Sequence, residues 1–125
     1  MPRMKESTIE KQTVDLAWKY LGIIGSKFVT PGNTGYPDRI FWIPGGYPLL
    51  IEFKQLGEKP RAKQKYIHTQ LIQLGYRIEV HDSAIQAFSA IIRAVETTRL
   101  SNKSRQVLAR ARSICTILRS RSRKD

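Results

Sequence analysis

Glu52 and Lys54 interrupt an otherwise apolar stretch, Leu49-Leu50-Ile51-Glu52-Phe53-Lys54. A run this apolar reads as a buried strand, and residues two apart on a strand share a face of the sheet. Their Cα atoms should then lie about 6.6 Å apart. Burying charge without a partner is costly. The two groups are therefore either a structural ion pair near a strand end or the floor of a chemical site. A third charge, Asp38, opens the preceding β-rich stretch behind Pro37 and the breaker-rich Pro31-Gly32-Asn33-Thr34-Gly35. Pro37 fixes its own φ and biases Tyr36 towards extended backbone, which restrains Asp38. Two acids and a lysine at one sheet end suit a hard divalent cation, Mg²⁺ or Mn²⁺, held by carboxylate oxygens beside a phosphate. Lys54 would orient or deprotonate an attacking water, or stabilise developing charge.

Whether Asp38 joins Glu52 depends on the hairpin register. Opposed residues of an antiparallel pair share a face, so the sum of paired numbers must be even. A three-residue loop, Gly45-Gly46-Tyr47, would pair 44 with 48 and set Asp38 opposite Lys54. A two-residue loop would throw Asp38 to the other face unless a bulge intervened. The expectation is the odd loop, or an Asp38 just outside regular pairing.

The elements that must hold this site are legible from pattern. Ser7 or Thr8 can cap a first helix whose stripe includes Ile9, Thr13, Leu16 and Tyr20, ending near Gly22 or Gly25. Strands are expected at 27–30, 39–43, 49–54 and 77–80. A second helix is expected over 61–74, with Ala62, Tyr66 or Ile67, Leu71 and Leu74 facing inward and Gly75 stopping it. Ser83 caps a third helix through Glu96. The fourth strand is reached through a helix, so it should run parallel to the third. Val107, Leu108, Ala111, Ile114, Cys115 and Leu118 then mark a basic amphipathic helix over 104–118, followed by a disordered tip. Its apolar face needs a cover, either the domain itself or another copy of the chain.

Taken together, Gly35-Tyr36-Pro37-Asp38-Arg39, Ile51-Glu52-Phe53-Lys54 and Gln64 ten residues later resemble the VRR-NUC branch of the PD-(D/E)XK nucleases, over residues 6–82. The resemblance implies a restriction-endonuclease-like α/β fold, an αβββαβ core with a mixed central sheet flanked by helices, here with the basic C-terminal helix added. It implies metal ligation by Asp38, Glu52 and the carbonyl of Phe53, with Glu10 completing the shell. It also implies a catalytic Lys54, and Gln64 placing the water or contacting the phosphate. Read alone, Glu10 is a first-turn acid favoured by the helix dipole, and Gln64 is a surface residue of a helix. His68 and His81 lack ligand spacing and read as structural or solvated. Trp18 and Trp42 read as core or interface, and Tyr66 as core.

Charge narrows the partner. The 125 residues carry 22 Lys+Arg against 10 Asp+Glu, a net +12. Residues 99–125 contribute +8 of this and residues 1–98 the other +4. Such an excess favours a polyanion, with nucleic acid first. Lys59, Arg61, Lys63 and Lys65 are either a solvated face or a phosphate grip beside a helix N-terminus. Arg105, Arg110 and Arg112 are candidate contacts on the C-terminal helix. One cysteine, Cys115, excludes an intrachain disulfide and a cysteine-based zinc site. No apolar run reaches membrane-span length, and the first residues lack an apolar signal core, so a cytoplasmic protein is expected, in a bacterial host if phage-encoded.

The resulting expectation is a nuclease domain over 1–98 with a basic extension over 99–125. The resemblance implies a Mg²⁺- or Mn²⁺-dependent DNA endonuclease, homodimeric and selective for branched DNA such as a Holliday junction. The alternatives are a flap or nicking endonuclease and a non-catalytic basic nucleic-acid binder.

Overall fold

The protein is described from a computed structural model covering residues 3–98 and 102–124. The elements in order are α1 (Glu6–Leu21), β1 (Gly25–Lys27), β2 (Arg39–Ile43), β3 (Tyr47–Phe53), α2 (Ala62–Gln73), β4 (Arg77–His81), α3 (Ala84–Glu96) and α4 (Asn102–Lys124). The strands form one sheet in the order β1-β2-β3-β4. β1, β2 and β3 pair antiparallel, and β4 lies parallel to β3. This is the expected restriction-endonuclease-like α/β core with a mixed sheet.

Alternation along β3 separates two worlds. Leu49, Ile51 and Phe53 are at most 1% exposed and join Phe41 and Ile43 of β2 in the core. That core is completed by Ile9 and Ala17 of α1, Phe88, Ile91 and Val95 of α3, and Leu108, Ala111 and Cys115 of α4. Leu50, Glu52 and Lys54 alternate to the other side, where Gln64 of α2 meets Glu52. Nine of the thirteen residues of α3 are buried. Packing on a sheet alone buries only one side of a helix. α4 covers the rest, lying against both α1 and α3. The chain itself covers Leu108, Ala111 and Cys115 of the apolar face of α4, with Ile114 and Leu118 half-buried and Val107 left exposed.

Several boundaries differ from the sequence reading, each for a local reason. α1 begins at Glu6, before Ser7, because the N–H groups of Thr8 and Ile9 both donate to the Lys5 carbonyl. Its C-cap is Gly22, one of the two expected stops. β1 pairs over Gly25–Lys27 rather than 27–30, with Gly25 opposite Phe41. A Cβ on Gly25 would lie 2.6 Å from a ring carbon of Phe41, so a side chain cannot enter there. The hairpin pairs Ile43 with Tyr47, leaving Pro44-Gly45-Gly46 as its loop. The loop is odd, as expected, but starts one residue earlier. Proline has no N–H for a ladder and belongs in the turn. Arg39 therefore faces Ile51, and Asp38 lies just outside the regular pairing, the second of the two expected arrangements.

α2 turns a different face inward. Tyr66 and Leu74 are 62% and 73% exposed, and Ala62 is exposed too. The inner face is Gln64, Ile67, His68 and Leu71, of which only His68 is fully buried. A polar residue leads this face because the sheet surface it covers is itself polar at Glu52 and Lys54. Trp18 and Trp42 are also more than half exposed. The last turns, expected to be disordered, are helical through Lys124. Arg119 donates to Ser89 of α3 at 2.6 Å, which ties that end down. The boundary between 98 and 99 falls at the edge of the described residues.

Gly25→Ala should lower stability by about 1–3 kcal/mol, the usual cost of forcing atoms into a packed core. Urea unfolding checks this, and an unchanged midpoint would mean that Phe41 is free to move.

Candidate active site

Asp38 is fixed through its backbone before its side chain acts. Its N–H donates to the Ile51 carbonyl at 3.1 Å, and its own carbonyl accepts from Phe28 at 3.0 Å. Arg39 also faces Ile51. Two residues of one strand thus oppose one of the next, the arrangement of a β-bulge, which re-aims a side chain. The Asp38 carboxylate turns along the sheet edge, and its Oδ2 accepts the Phe53 N–H at 2.8 Å. Gly35, at φ 96°, lets the preceding loop pack on α2, where a Cβ would meet the Lys63 carbonyl at 3.2 Å. That contact brings the loop carrying Asp38 against the first turns of the helix carrying Gln64.

Glu52 is 2% exposed. Its Oε2 accepts from Gln64 Nε2 at 3.0 Å, and Lys54 Nζ lies 3.5 Å from the same oxygen. Gln64 is held at its other end, since its Oε1 accepts the Arg61 N–H at 2.8 Å and closes the first turn of α2. Lys54 is anchored through its N–H to the His81 carbonyl of β4. Asp38, Glu52, Lys54 and Gln64 are thus brought together as expected.

The electrostatics of this corner are unfavourable for anions alone. Burial, then the neighbouring Asp38, push the Glu52 carboxyl up to about 7, against which Lys54 pulls down. Burial raises Asp38 as well, partly offset by the Phe53 N–H. Glu52 Oε1 is buried with no hydrogen-bond partner among the described residues. Two carboxyl groups that resist ionisation, one with an orphaned oxygen, fit a divalent cation, which would hold both in the charged form. The candidate donors are Asp38, Glu52 and the Phe53 carbonyl, which leaves a strand on the same edge as its N–H. Among the described residues no group of three or more His, Cys, Asp or Glu side chains forms a closed cage. Mg²⁺ needs none, because it keeps several waters.

Glu10 stands apart from this group. Its Oε2 is within 2.9 Å of Arg39 Nε and Nη2, and 3.3 Å from Lys27. Arg39 alternates to the α1 side of the sheet, so it draws Glu10 there. The negative charge of Glu10 nevertheless helps raise Asp38, and that of Glu6, one turn earlier, helps raise Glu52.

Lys59, Arg61, Lys63 and Lys65 are exposed around the start of α2, beside the carboxylates. Arg110 and Arg112 are elsewhere, and Arg105 is exposed on α4. Arg110 shares a groove with Trp18 and Gly22 at the last turn of α1. The first turn of that 16-residue helix carries Glu6, whose charge acts on Glu52, and 16 residues span about 24 Å. Arg112 is paired with Glu96 at 2.9 Å. The opposite end of α4 is nearer, with Ser122 lining a cavity with Leu56 and Ser83.

The residue that pattern reading missed is His68. It is 7% exposed, and its Nε2 faces Glu52 Oε1 at 3.9 Å, beyond hydrogen-bond range, with neither atom partnered among the described residues. Burial, then Lys54, lower its pKa, so it is neutral near pH 7 and the pair is not an ion pair. The available signal was its spacing, four residues after Gln64 and so on the same helix face.

No family model matches the chain. Over 95 residues it is 41% identical to "Putative nuclease p44" of Acyrthosiphon pisum secondary endosymbiont phage 1, covering 76% of this chain and 99% of that protein. A solved "VRR_NUC domain" superposes with a TM-score of 0.61 at 24% identity, covering 77% of this chain and 99% of that one.

The pH dependence of stability follows from Glu52. Its folded pKa of about 7 lies above the ordinary 4.5, so the folded state binds the extra proton between these values. Stability contributed by that proton is present at low pH and lost as pH rises through 7. In EDTA the melting temperature should fall across this window more steeply for the wild type than for Glu52→Gln. Adding Mg²⁺ or Mn²⁺ should restore it more at pH 8 than at pH 5. Parallel melting curves for the two proteins would show that Glu52 is not a raised, cation-seeking acid.

Proposed function

The chain belongs to the VRR-NUC family of nucleases, and from that premise we propose a divalent-metal-dependent DNA endonuclease acting at the Asp38–Glu52–Lys54 corner. The observation that carries the reading is Glu52, a buried acid with one unpartnered oxygen beside a second raised acid and a lysine. A Mg²⁺ or Mn²⁺ ion held by Asp38, Glu52 and the Phe53 carbonyl would supply an acidified water and offset charge on the phosphate.

The remaining roles belong to the chain itself. Lys54, 3.5 Å from Glu52 and nearly buried, presents its ammonium where a phosphate oxygen gains charge. Gln64, clamped between the Arg61 N–H and Glu52, keeps that carboxylate in one orientation. His68, behind Glu52, keeps bulk water from its far oxygen. Lys59, Arg61, Lys63 and Lys65 approach the substrate backbone, aided by the N-terminal end of α2. Glu10 is assigned the role of holding Arg39 and Lys27 and of adding negative potential, rather than direct ligation.

A branched substrate and a homodimer complete the proposal. The domain is small, and two copies related by a twofold axis would match the near-twofold symmetry of a four-way junction. Trp42, Ile72, Leu74 and Tyr76 are each about half exposed or more. Such residues favour association with a second copy when they lie together. A phage gene product working in the cytoplasm of a bacterial host fits this reading. No described helix is long and apolar enough to cross a membrane.

Purified protein should cut a labelled four-way junction with Mg²⁺ or Mn²⁺, leave it intact in EDTA, and act less on flap, duplex and single strand. Glu52→Gln and Lys54→Ala should each lower the rate by about a hundredfold or more, the range seen when one charge-stabilising group is removed. Cutting by both variants at the wild-type rate would displace the site. Equal rates on all four substrates would remove the junction preference alone.

A further inference from the structure

α3 and α4 enclose an open groove of about 350 Å³, away from Asp38 and Glu52, whose lining includes Ser89, Arg93, Glu96, Arg112 and Arg119. Ser89 Oγ accepts two hydrogen bonds there, from Arg93 Nη1 at 3.0 Å and from Arg119 Nη2 at 2.6 Å. Two guanidinium groups from different helices therefore converge on one hydroxyl that is only 8% exposed.

The chemistry of that convergence is one-sided. A hydroxyl oxygen has two lone pairs, and both are used. Its proton is left to donate, and no acceptor for it exists among the described residues. The groups that converge on Ser89 are both donors and both carry positive charge. Two acids balance part of that charge, one of them lining the groove. Glu96 is engaged by Arg112 at 2.9 Å, and Glu79 comes no closer than 3.9 Å to Arg93. A tetrahedral oxyanion would accept from both guanidinium forks and from the hydroxyl at once.

We propose that Ser89, Arg93 and Arg119 form a phosphate-binding site for the DNA backbone, separate from the catalytic corner. This rests on the DNA-cleaving reading and extends it. The placement supports it. Ser89 lies six residues after Ser83, about 9 Å along α3 from the sheet end that carries Lys54. Ser122 of α4 lines a cavity with Leu56 and Ser83 at that same end. The groove opens on the α3 and α4 side, across the sheet from Glu52 and Lys54, so a duplex at that corner would reach it around this end of the sheet, with the basic C-terminal helix as a second grip.

The test is fluorescence anisotropy of a labelled duplex, over a salt series, with the full chain in a Lys54→Ala background. Arg93→Gln/Arg119→Gln should weaken binding about tenfold and make the salt slope shallower by about one, as expected for one lost phosphate contact. Arg93→Lys/Arg119→Lys keeps charge but loses the forks, and should recover only part of the affinity. Ser89→Ala should weaken binding with all charges retained, while Lys11→Gln, an exposed charge on α1, should change it less than about twofold. An affinity and slope unchanged in the double glutamine variant would overturn this site alone. Equal losses from Lys11→Gln would do the same, by reducing the effect to net charge. Absence of duplex binding by the parent at low salt would overturn the DNA reading and this site with it.

Discussion

Two carboxyl groups are forced into one dry corner, and the rest of the structure can be read as the means of keeping them there. Neither ionises easily. Burial is the largest cause for both, with the Asp38 charge adding to it for Glu52 and the Glu10 charge for Asp38. The chain counters with single, well-placed donors: the Phe53 N–H on Asp38, and the Gln64 amide and Lys54 ammonium on Glu52. These relieve the corner without neutralising it. A structural ion pair would have been closed by one arginine fork, as Glu10 is by Arg39 on the other side of the sheet. The contrast between the two acids, one satisfied and one left wanting a cation, is what separates scaffolding from chemistry here.

The sheet divides these tasks by its pleat. On the α1 and α3 side, apolar residues alternate with almost no interruption, and α4 seals the outer surface of α3. On the α2 side the cover is thin, and α2 contributes one buried residue, His68, against nine from α3. Stability is concentrated in one layer so that the other can remain polar and open to a substrate.

Much of this was readable from residue types and spacing. The apolar run around Glu52 and Lys54 announced a buried strand with a charged interruption. Parity alone required an odd hairpin loop if Asp38 was to come level with them. The shift of that loop by one residue followed from Pro44, a reading of proline chemistry that pattern counting had passed over. Gln64 was placed by resemblance, since its own context on a helix surface is bland. His68 was legible only through its spacing from Gln64, because its burial comes from facing Glu52 across the fold rather than from any apolar stripe of its own helix. Glu10 was assigned by resemblance, but its partner is Arg39, which the β2–β3 register sets opposite Ile51 on the α1 side of the sheet. The cover of α4 was an open choice in sequence, and three-dimensional packing resolved it in favour of α1 and α3.

One side chain ties local folding to the acidic corner. The Gln64 amide caps its own helix with one end and steadies Glu52 with the other. The opening turn of α2 and the acid therefore behave as a single cooperative unit. Fraying of that turn releases the carboxylate, and a carboxylate drawn elsewhere unlatches the turn. Because α2 buries so little, this is the segment where transient local opening costs least. Amide hydrogen exchange there would register events at the acid, and the enzyme carries its own reporter in its weakest helix.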